Sequence, residues 1–320
     1  MKHSAKLHAM AATARSANIP SVVGNVWLGI ALATAAGGRL TDGYSLLPPA
    51  AVLGLAGVCL YLAGNFLNDW ADRDWDARHR PERALPRALF PAGFYLSVAL
   101  ACGVLGLGLA GAVHLRCLGV ALVIGICIVL YTRVHKRAAW SVIPMGLCRA
   151  LLPVLGFVGV VRLEDSLAIS WGTATAALSA CAFGLFCHIA GLSLCARYES
   201  MAQPPASAMR FAWTLFPAAA LSMFLASWLL LSLPLLFCVL GLLPYVVWVA
   251  LCLAFCRNPV ALLVANLLAG IPLVDWIVLL PLAVTLVAAQ WAPPFPALCL
   301  LVPTLALASG WLLQRLSPAT

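Results

Sequence analysis

The stretch Asn68-Asp69-Trp70-Ala71-Asp72-Arg73-Asp74-Trp75-Asp76, with Glu82 just beyond it, holds half of the acidic residues in an otherwise strongly apolar chain. The remaining acids are Asp42, Glu164, Asp165, Glu199 and Asp275. Carboxylates near lipid are costly, and where they persist they serve ions or substrates. Asn68, Asp72 and Asp76 recur every fourth residue, so a helix puts them on one face, with Asp69 beside them and Asp74 pointing away. Such a row of hard oxygen ligands suits Mg²⁺ and, through it, a diphosphate. The basic run Arg78-His79-Arg80-Pro81-Glu82-Arg83-Ala84-Leu85-Pro86-Arg87 follows at once. Arg73, Arg80 and Arg83 are then candidates to clamp phosphate oxygens, with Asp69 at the same site. Ionising an allylic diphosphate needs this kind of neutralisation of its leaving group. The bland alternative is a solvated juxtamembrane loop with self-paired charges.

The elements that must position these residues are membrane helices. The chain has 320 residues, is 64% hydrophobic and 9% charged, and its mean hydropathy is +1.02. These values indicate a polytopic membrane protein and exclude a soluble isoprenyl synthase. Apolar segments long enough to span recur at about 20–37, 46–67, 89–112, 115–132, 141–161, 168–194, 211–232, 234–256, 258–290 and 294–314. The expected fold is an all-α membrane bundle of nine to ten transmembrane helices, with the ninth segment kinked at Gly270-Ile271-Pro272. Residues 20–314 form one transmembrane domain between an N-terminal tail, 1–19, and a C-terminal tail, 315–320. The net charge of +9 points to loop orientation, not to nucleic acid. Fourteen basic residues fall on the side holding Lys6, Arg83, Lys136 and Arg257, against three (Arg39, Arg116, Arg162) opposite. The basic side, with the amino terminus and the 68–88 loop, is expected in the cytoplasm, placing the chain in the cell (inner) membrane. The 12 cysteines are scattered without metal spacing and read as small core residues.

The motif N-D-x-x-D-R-x-x-D at the end of the second span, followed by R-P-x-R at 80–83, resembles the first aspartate-rich motif of the UbiA superfamily of intramembrane prenyltransferases. Ser21-Val22-Val23-Gly24-Asn25-Val26-Trp27 resembles that family's first helix. Tyr131 through Lys136-Arg137 resembles its Tyr…Lys-Arg loop, with one extra intervening residue. Met145-Gly146-Leu147-Cys148-Arg149 and Gly191-Leu192-Ser193-Leu194-Cys195-Ala196-Arg197-Tyr198-Glu199 resemble the EboC-like branch. The resemblance implies transfer of a prenyl group from a Mg²⁺-bound polyprenyl diphosphate to a small acceptor, an aromatic ring or similar. Asn68, Asp72 and Asp76 would hold the metal, Lys136 and Arg197 would clamp the diphosphate with Arg80, and Tyr131 would line the site. The superfamily's second D-x-x-x-D motif has no full counterpart here. His188 to Ser200 offers only Glu199, with Arg197 beside it. Either one metal suffices, or Arg197 replaces a cation, or the ancestral transfer has been altered. A non-catalytic lipid or metabolite carrier is therefore the alternative function. A CDP-alcohol phosphotransferase is disfavoured because its D-G-x-x-A-R order is absent.

Other polar residues fall inside spans. Arg149 needs a partner or a wet cavity and reads either as a deep diphosphate contact or as half of a structural pair. Asp275 pairs with it, binds an acceptor, or caps the broken helix. His188 reads as a satisfied bundle histidine, Asn25 and Asn266 as interhelical hydrogen-bonding groups. Trp70 and Trp75 are interfacial anchors or cation–π partners.

Overall fold

The computed structural model describes residues 2–36, 46–161, 171–199, 201, 204–291 and 294–316. Asp42, Glu164, Asp165, Arg39, Arg162 and Ser200 lie outside the described residues. The described chain is helical throughout, in the order α1 (Lys2–Thr13), α2 (Ile19–Ala36), α3 (Leu47–His79), α4 (Ala92–Val113), α5 (Leu115–Val134), α6 (Val142–Val160), α7 (Trp171–Arg197), α8 (Ala206–Leu225), α9 (Leu235–Phe255), α10 (Val260–Ala269), α11 (Ile271–Ala288) and α12 (Pro294–Leu316). Ten spans among them are long and apolar enough to cross a membrane, with α10 and α11 together forming one. The expected kink in the ninth segment is present. Gly270 separates α10 from α11, and Trp248 packs where a Cβ at Gly270 would lie.

Two features of this bundle set up the site. The first is the length of α3. Its 33 residues reach about 50 Å at 1.5 Å per residue, well beyond the hydrocarbon core. The helix does not stop at residue 67, because the acidic face continues it in register. It ends where Arg78 supplies positive charge to the last turn and Pro81 forbids another. The second is the crossing of α2 on α6. A Cβ at Gly29 would run into the Pro153 carbonyl, and one at Gly156 into the Val26 carbonyl. Two glycines facing opposite backbones let these helices touch, as small residues do in membrane bundles.

The amino-terminal segment expected as a tail is largely helical and docked. Met10 and Ala14 pack with Phe66 and Tyr95, and the Thr13 hydroxyl meets the Tyr95 hydroxyl at 2.8 Å. Between α1 and α2 the chain turns at Arg15, whose φ of 44° lies in the left-handed region. Tyr61 Oη donates to the Arg15 carbonyl at 3.1 Å and Asn65 Nδ2 to the Ala14 carbonyl at 3.1 Å. The second transmembrane helix thus holds the turn by its own side chains.

Candidate active site

A cavity of about 500 Å³ runs along one face of α3, from Gly57 and Tyr61 to Asn68, Asp72 and Trp75. Its inner wall is apolar, built from Val22, Leu60, Ile124, Leu152 and Ile271 among others. Its outer end is polar. The i, i+4, i+8 face holds as the sequence implies: Asn68, Asp72 and Asp76 are all buried on α3. Asp74, by contrast, leaves its side chain 79% exposed, 3.6 Å from Arg73.

Cations crowd this face. Asp72 Oδ2 lies 3.0 Å from His135 Nε2 and 3.3 Å from Lys136 Nζ, and accepts from Asn68 Nδ2 at 3.3 Å. Lys136 also sits 3.6 Å above the Trp75 ring, so Trp75 faces the cavity rather than lipid. Arg83 Nη1 donates to Asp76 Oδ2 at 2.9 Å and lies 3.5 Å from Asp69 Oδ1. Among the described residues, Arg80, Arg83, Lys136, Arg149, Arg197 and Arg15 line the cavity, against two carboxylates, Asp72 and Glu199. Burial opposes the charge of Arg15, but Asp69, Tyr61, Tyr131 and Asp72 outweigh it and raise the pKa of its guanidinium. The cavity's polar end is therefore built for an anion.

A hard cation fits the donor set. The side-chain contacts of Asp72 fall on Oδ2, while Asn68 Oδ1 and Asp76 Oδ1 are buried with no hydrogen-bond partner. Among the described residues no three His, Cys, Asp or Glu side chains converge as a finished metal cage. Mg²⁺ rarely takes such a cage; it binds one or two carboxylates, waters and substrate phosphates.

The remaining candidates are placed as follows. Tyr131 lines the cavity and stacks on His135 at 4.9 Å. Glu199 lines it too, without a second acid one turn away, since Cys195 occupies that position and is fully buried. Arg197 reaches the rim but spends Nη1 on the carbonyls of His135 (3.1 Å) and Ala138 (3.2 Å). It holds the chain between α5 and α6. Arg73 is not brought to the cavity. It donates to the Trp70 carbonyl at 2.9 Å and lies over that ring, because its position on α3 faces away from the acidic row. Asp69 lies behind Arg83, and Asp275 behind Asn25.

The polar residues within spans form two separate groups. Asn25 Nδ2 lies 2.9 and 2.8 Å from the two oxygens of Asp275, and Arg149 Nη1 donates to Asn25 Oδ1 at 2.9 Å. Asn25 thus bridges α6 and α11, whereas the Asn266 side chain donates within its own helix, to the Leu262 carbonyl at 2.8 Å. His188 is satisfied on both nitrogens, 3.2 Å from the Leu267 carbonyl and 3.0 Å from the Tyr245 hydroxyl, as a bundle histidine should be.

Sequence reasoning missed Arg15 as a site residue and missed His135 altogether. In the sequence Arg15 is one more basic residue of the amino-terminal segment, and nothing local says that a docked α1 turns it inward. His135 had a signal: it lies between Tyr131 and Lys136, one helical turn beyond Tyr131.

Comparison with known proteins bears on the fold and the family. Digeranylgeranylglyceryl phosphate synthase from Methanopyrus kandleri is 33% identical over 97 residues, 30% of this chain and 34% of that protein. The protein of the same name from Pyrococcus abyssi is 34% identical over 131 residues, 37% of this chain and 44% of that protein. The chain thus matches less than half the length of either relative. A solved structure described as a digeranylgeranylglyceryl phosphate synthase in membranes superposes with a TM-score of 0.56 at 17% identity, covering 85% of this chain and 98% of the other. A UbiA homologue from Aeropyrum pernix K1 gives a TM-score of 0.50 at 14% identity, covering 93% and 98%. These likenesses establish the fold. The UbiA prenyltransferase family model matches residues 22–265, and the chain belongs to that family.

Proposed function

We propose that the protein is an intramembrane, Mg²⁺-dependent prenyltransferase of the EboC-like branch, acting on a polyprenyl diphosphate and a small acceptor. The observation that carries this reading is the cavity itself: a ring of cations around Asn68 and Asp72 opening onto an apolar chamber. The headgroup belongs at the polar end and the prenyl chain along Leu60, Ile124 and Leu152. Asn68, Asp72 and Asp76 would hold Mg²⁺, which supplies charge neutralisation of the leaving diphosphate. Lys136 and His135, which contact Asp72, would meet the same phosphate oxygens, and Arg15, Arg80 and Arg83 would complete the anion's surroundings. As the allylic C–O bond breaks, its electron pair leaves on the diphosphate. The acceptor then bonds to that carbon and loses a proton. The apolar wall keeps water from the cation in the interval. The polar end faces the cytoplasm in this reading.

A carrier remains the second reading, favoured by one observation: Glu199 has no companion acid, and Arg197 is engaged with backbone carbonyls. Incubating the purified protein with a labelled allylic diphosphate, Mg²⁺ and a panel of acceptors tests both. Release of inorganic diphosphate together with a prenylated product supports transfer. Saturable binding without turnover would establish the carrier.

A further inference from the structure

Lys136 is a cation with no helix beneath it. The helix α5 ends at Val134, and Lys136 sits on the turn that follows, its side chain 36% exposed. Neighbouring cations are fastened in other ways: Arg83 by Asp76 and Asp69, Arg197 by the carbonyls of His135 and Ala138. A lysine side chain is a flexible four-carbon stem, and ordering it when an anion arrives costs affinity. Among the described residues the Lys136 ammonium meets two groups. One is Asp72 Oδ2 at 3.3 Å; the other is the face of the Trp75 indole, 3.6 Å from the ring centroid. The indole is itself held. The His79 ring stacks on it at 4.2 Å, with 11° between the planes, and His79 Nδ1 lies 2.9 Å from the Trp75 carbonyl. Two groups so close to one ring cannot share a face, so His79 covers one side of the indole and Lys136 the other. Trp75 and His79 are one turn apart on α3, and the helix fixes both. An indole face attracts an ammonium through its quadrupole. It differs from Asp72 in one respect: Asp72 is also a candidate ligand for a divalent cation, which would compete with Lys136 for the carboxylate, whereas the indole has no such competitor.

We infer that Trp75 is the positioning residue of Lys136, its indole face holding the ammonium ready at the polar end of the cavity for the diphosphate. Trp75 lines that end together with Asp72 and Lys136. Aromatic character at position 75, rather than bulk, then sets part of the affinity for the anion. His79 acts one step further back, by covering the indole's other face. This deepens the prenyl-transfer reading and rests on it for what the bound diphosphate is used for, though the tether on Lys136 stands apart from turnover.

The test is a double-mutant cycle on the full-length protein in lipid nanodiscs, with inorganic diphosphate as the probe, titrated calorimetrically with Mg²⁺ and again with EDTA. Trp75→Leu should weaken diphosphate binding by about three- to twentyfold, the span of a cation–π contact. Trp75→Phe keeps a ring face and should stay closer to the parent than to Trp75→Leu. Lys136→Met removes the charge, and in that background Trp75→Leu should cost no more than about twofold, because the indole then has nothing to hold. The ratio of parent to Trp75→Leu should persist in EDTA, since the contact does not run through the metal. Thermal unfolding is followed for every variant, and Trp75→Met, another flexible apolar side chain, replaces Trp75→Leu in the cycle if the latter unfolds early. Full additivity of Trp75→Leu and Lys136→Met overturns the inference, because Trp75 would then act without Lys136. So does a Trp75→Phe variant as weak as Trp75→Leu, which would make bulk the cause. A loss that vanishes in EDTA overturns it too, by placing the effect on the neighbouring carboxylates Asp72 and Asp76. If the cycle couples Trp75 to Lys136 while no allylic diphosphate is ever consumed, transfer fails and the tether stands; if turnover is intact and the cycle is additive, the tether fails and transfer stands.

Discussion

Asp72 carries three contacts on a single oxygen, and that crowding says what each substitution should do. Removing Asp72 strands His135 and Lys136 and takes away a proposed metal ligand; removing Asp76 does the same to Arg83. Asp72→Ala or Asp76→Ala should weaken Mg²⁺-dependent binding of inorganic diphosphate by about 1.5–3 kcal/mol, the range of a charge-assisted hydrogen bond. Asp74→Ala, on the exposed face, should be near parental, and calorimetric titration of the three variants distinguishes them. Equal losses at Asp72 and Asp74 would refute the one-face arrangement. Chelating divalent metal with EDTA should reduce diphosphate binding in the parent but change little in Asp72→Ala, where the metal contribution is already gone. Arg197 acts differently. Its bonds go to the His135 and Ala138 carbonyls, so Arg197→Ala should loosen residues 135–141 by about 0.5–1.5 kcal/mol. Faster amide exchange over that segment is the expected signature. Unchanged exchange with weaker diphosphate binding would instead make Arg197 a direct ligand.

At the scale of elements, α3 was legible and the turn before α2 was not. Hydropathy marks where α3 enters the membrane, and the four-residue spacing of Asn68, Asp72 and Asp76 marks the face it keeps after leaving. The inward turn of Arg15 depends on α1 docking against Phe66 and Tyr95, a contact between segments 50 to 80 residues apart that no local pattern encodes. The same holds for Asn25, Arg149 and Asp275: each is visible as a polar residue in a span, but which one bonds which is decided by how α2 crosses α6 and α11. That crossing rests on backbone contact at Gly29 and Gly156, where the obstructing atoms are carbonyls and cannot swing away. Gly156→Ala should therefore cost about 1–3 kcal/mol, the usual penalty of overpacking, and lower the thermal unfolding temperature in detergent. Gly108→Ala, where a new Cβ meets nothing within 4 Å, is the control and should be neutral. Matching effects at the two positions would mean that general loss of glycine flexibility, not the helix crossing, sets stability.

For the molecule as a whole, ten spans bring the loops at 80–91, 135–141 and 256–259, and the end of α7 at Arg197, to the same side as α1, since each pair of successive spans returns the chain. That side carries most of the basic residues, including Arg78, Arg80, Arg83, Arg87, Lys136, Arg137 and Arg257, whereas Arg116 marks the other. The cavity's polar end lies on the basic side, because Asp72, Arg83 and Lys136 all sit at the loop ends of α3 and α5. By the positive-inside rule, short loops with this bias would be retained in the cytoplasm during insertion. A diphosphate too charged to cross lipid would then meet the site from the compartment where such diphosphates are handled, while the prenyl chain slides into the apolar wall from the bilayer. Glu82 and Leu115 are both exposed, at opposite ends of the bundle, and serve as reporters. In intact cells a membrane-impermeant maleimide should label Leu115→Cys and spare Glu82→Cys, with the parent chain's own cysteines giving the background. After the membrane is opened, Glu82→Cys should label as well. Labelling of Glu82→Cys alone in intact cells would invert the orientation and put the anion site on the outer face, where a cytoplasmic diphosphate cannot reach it.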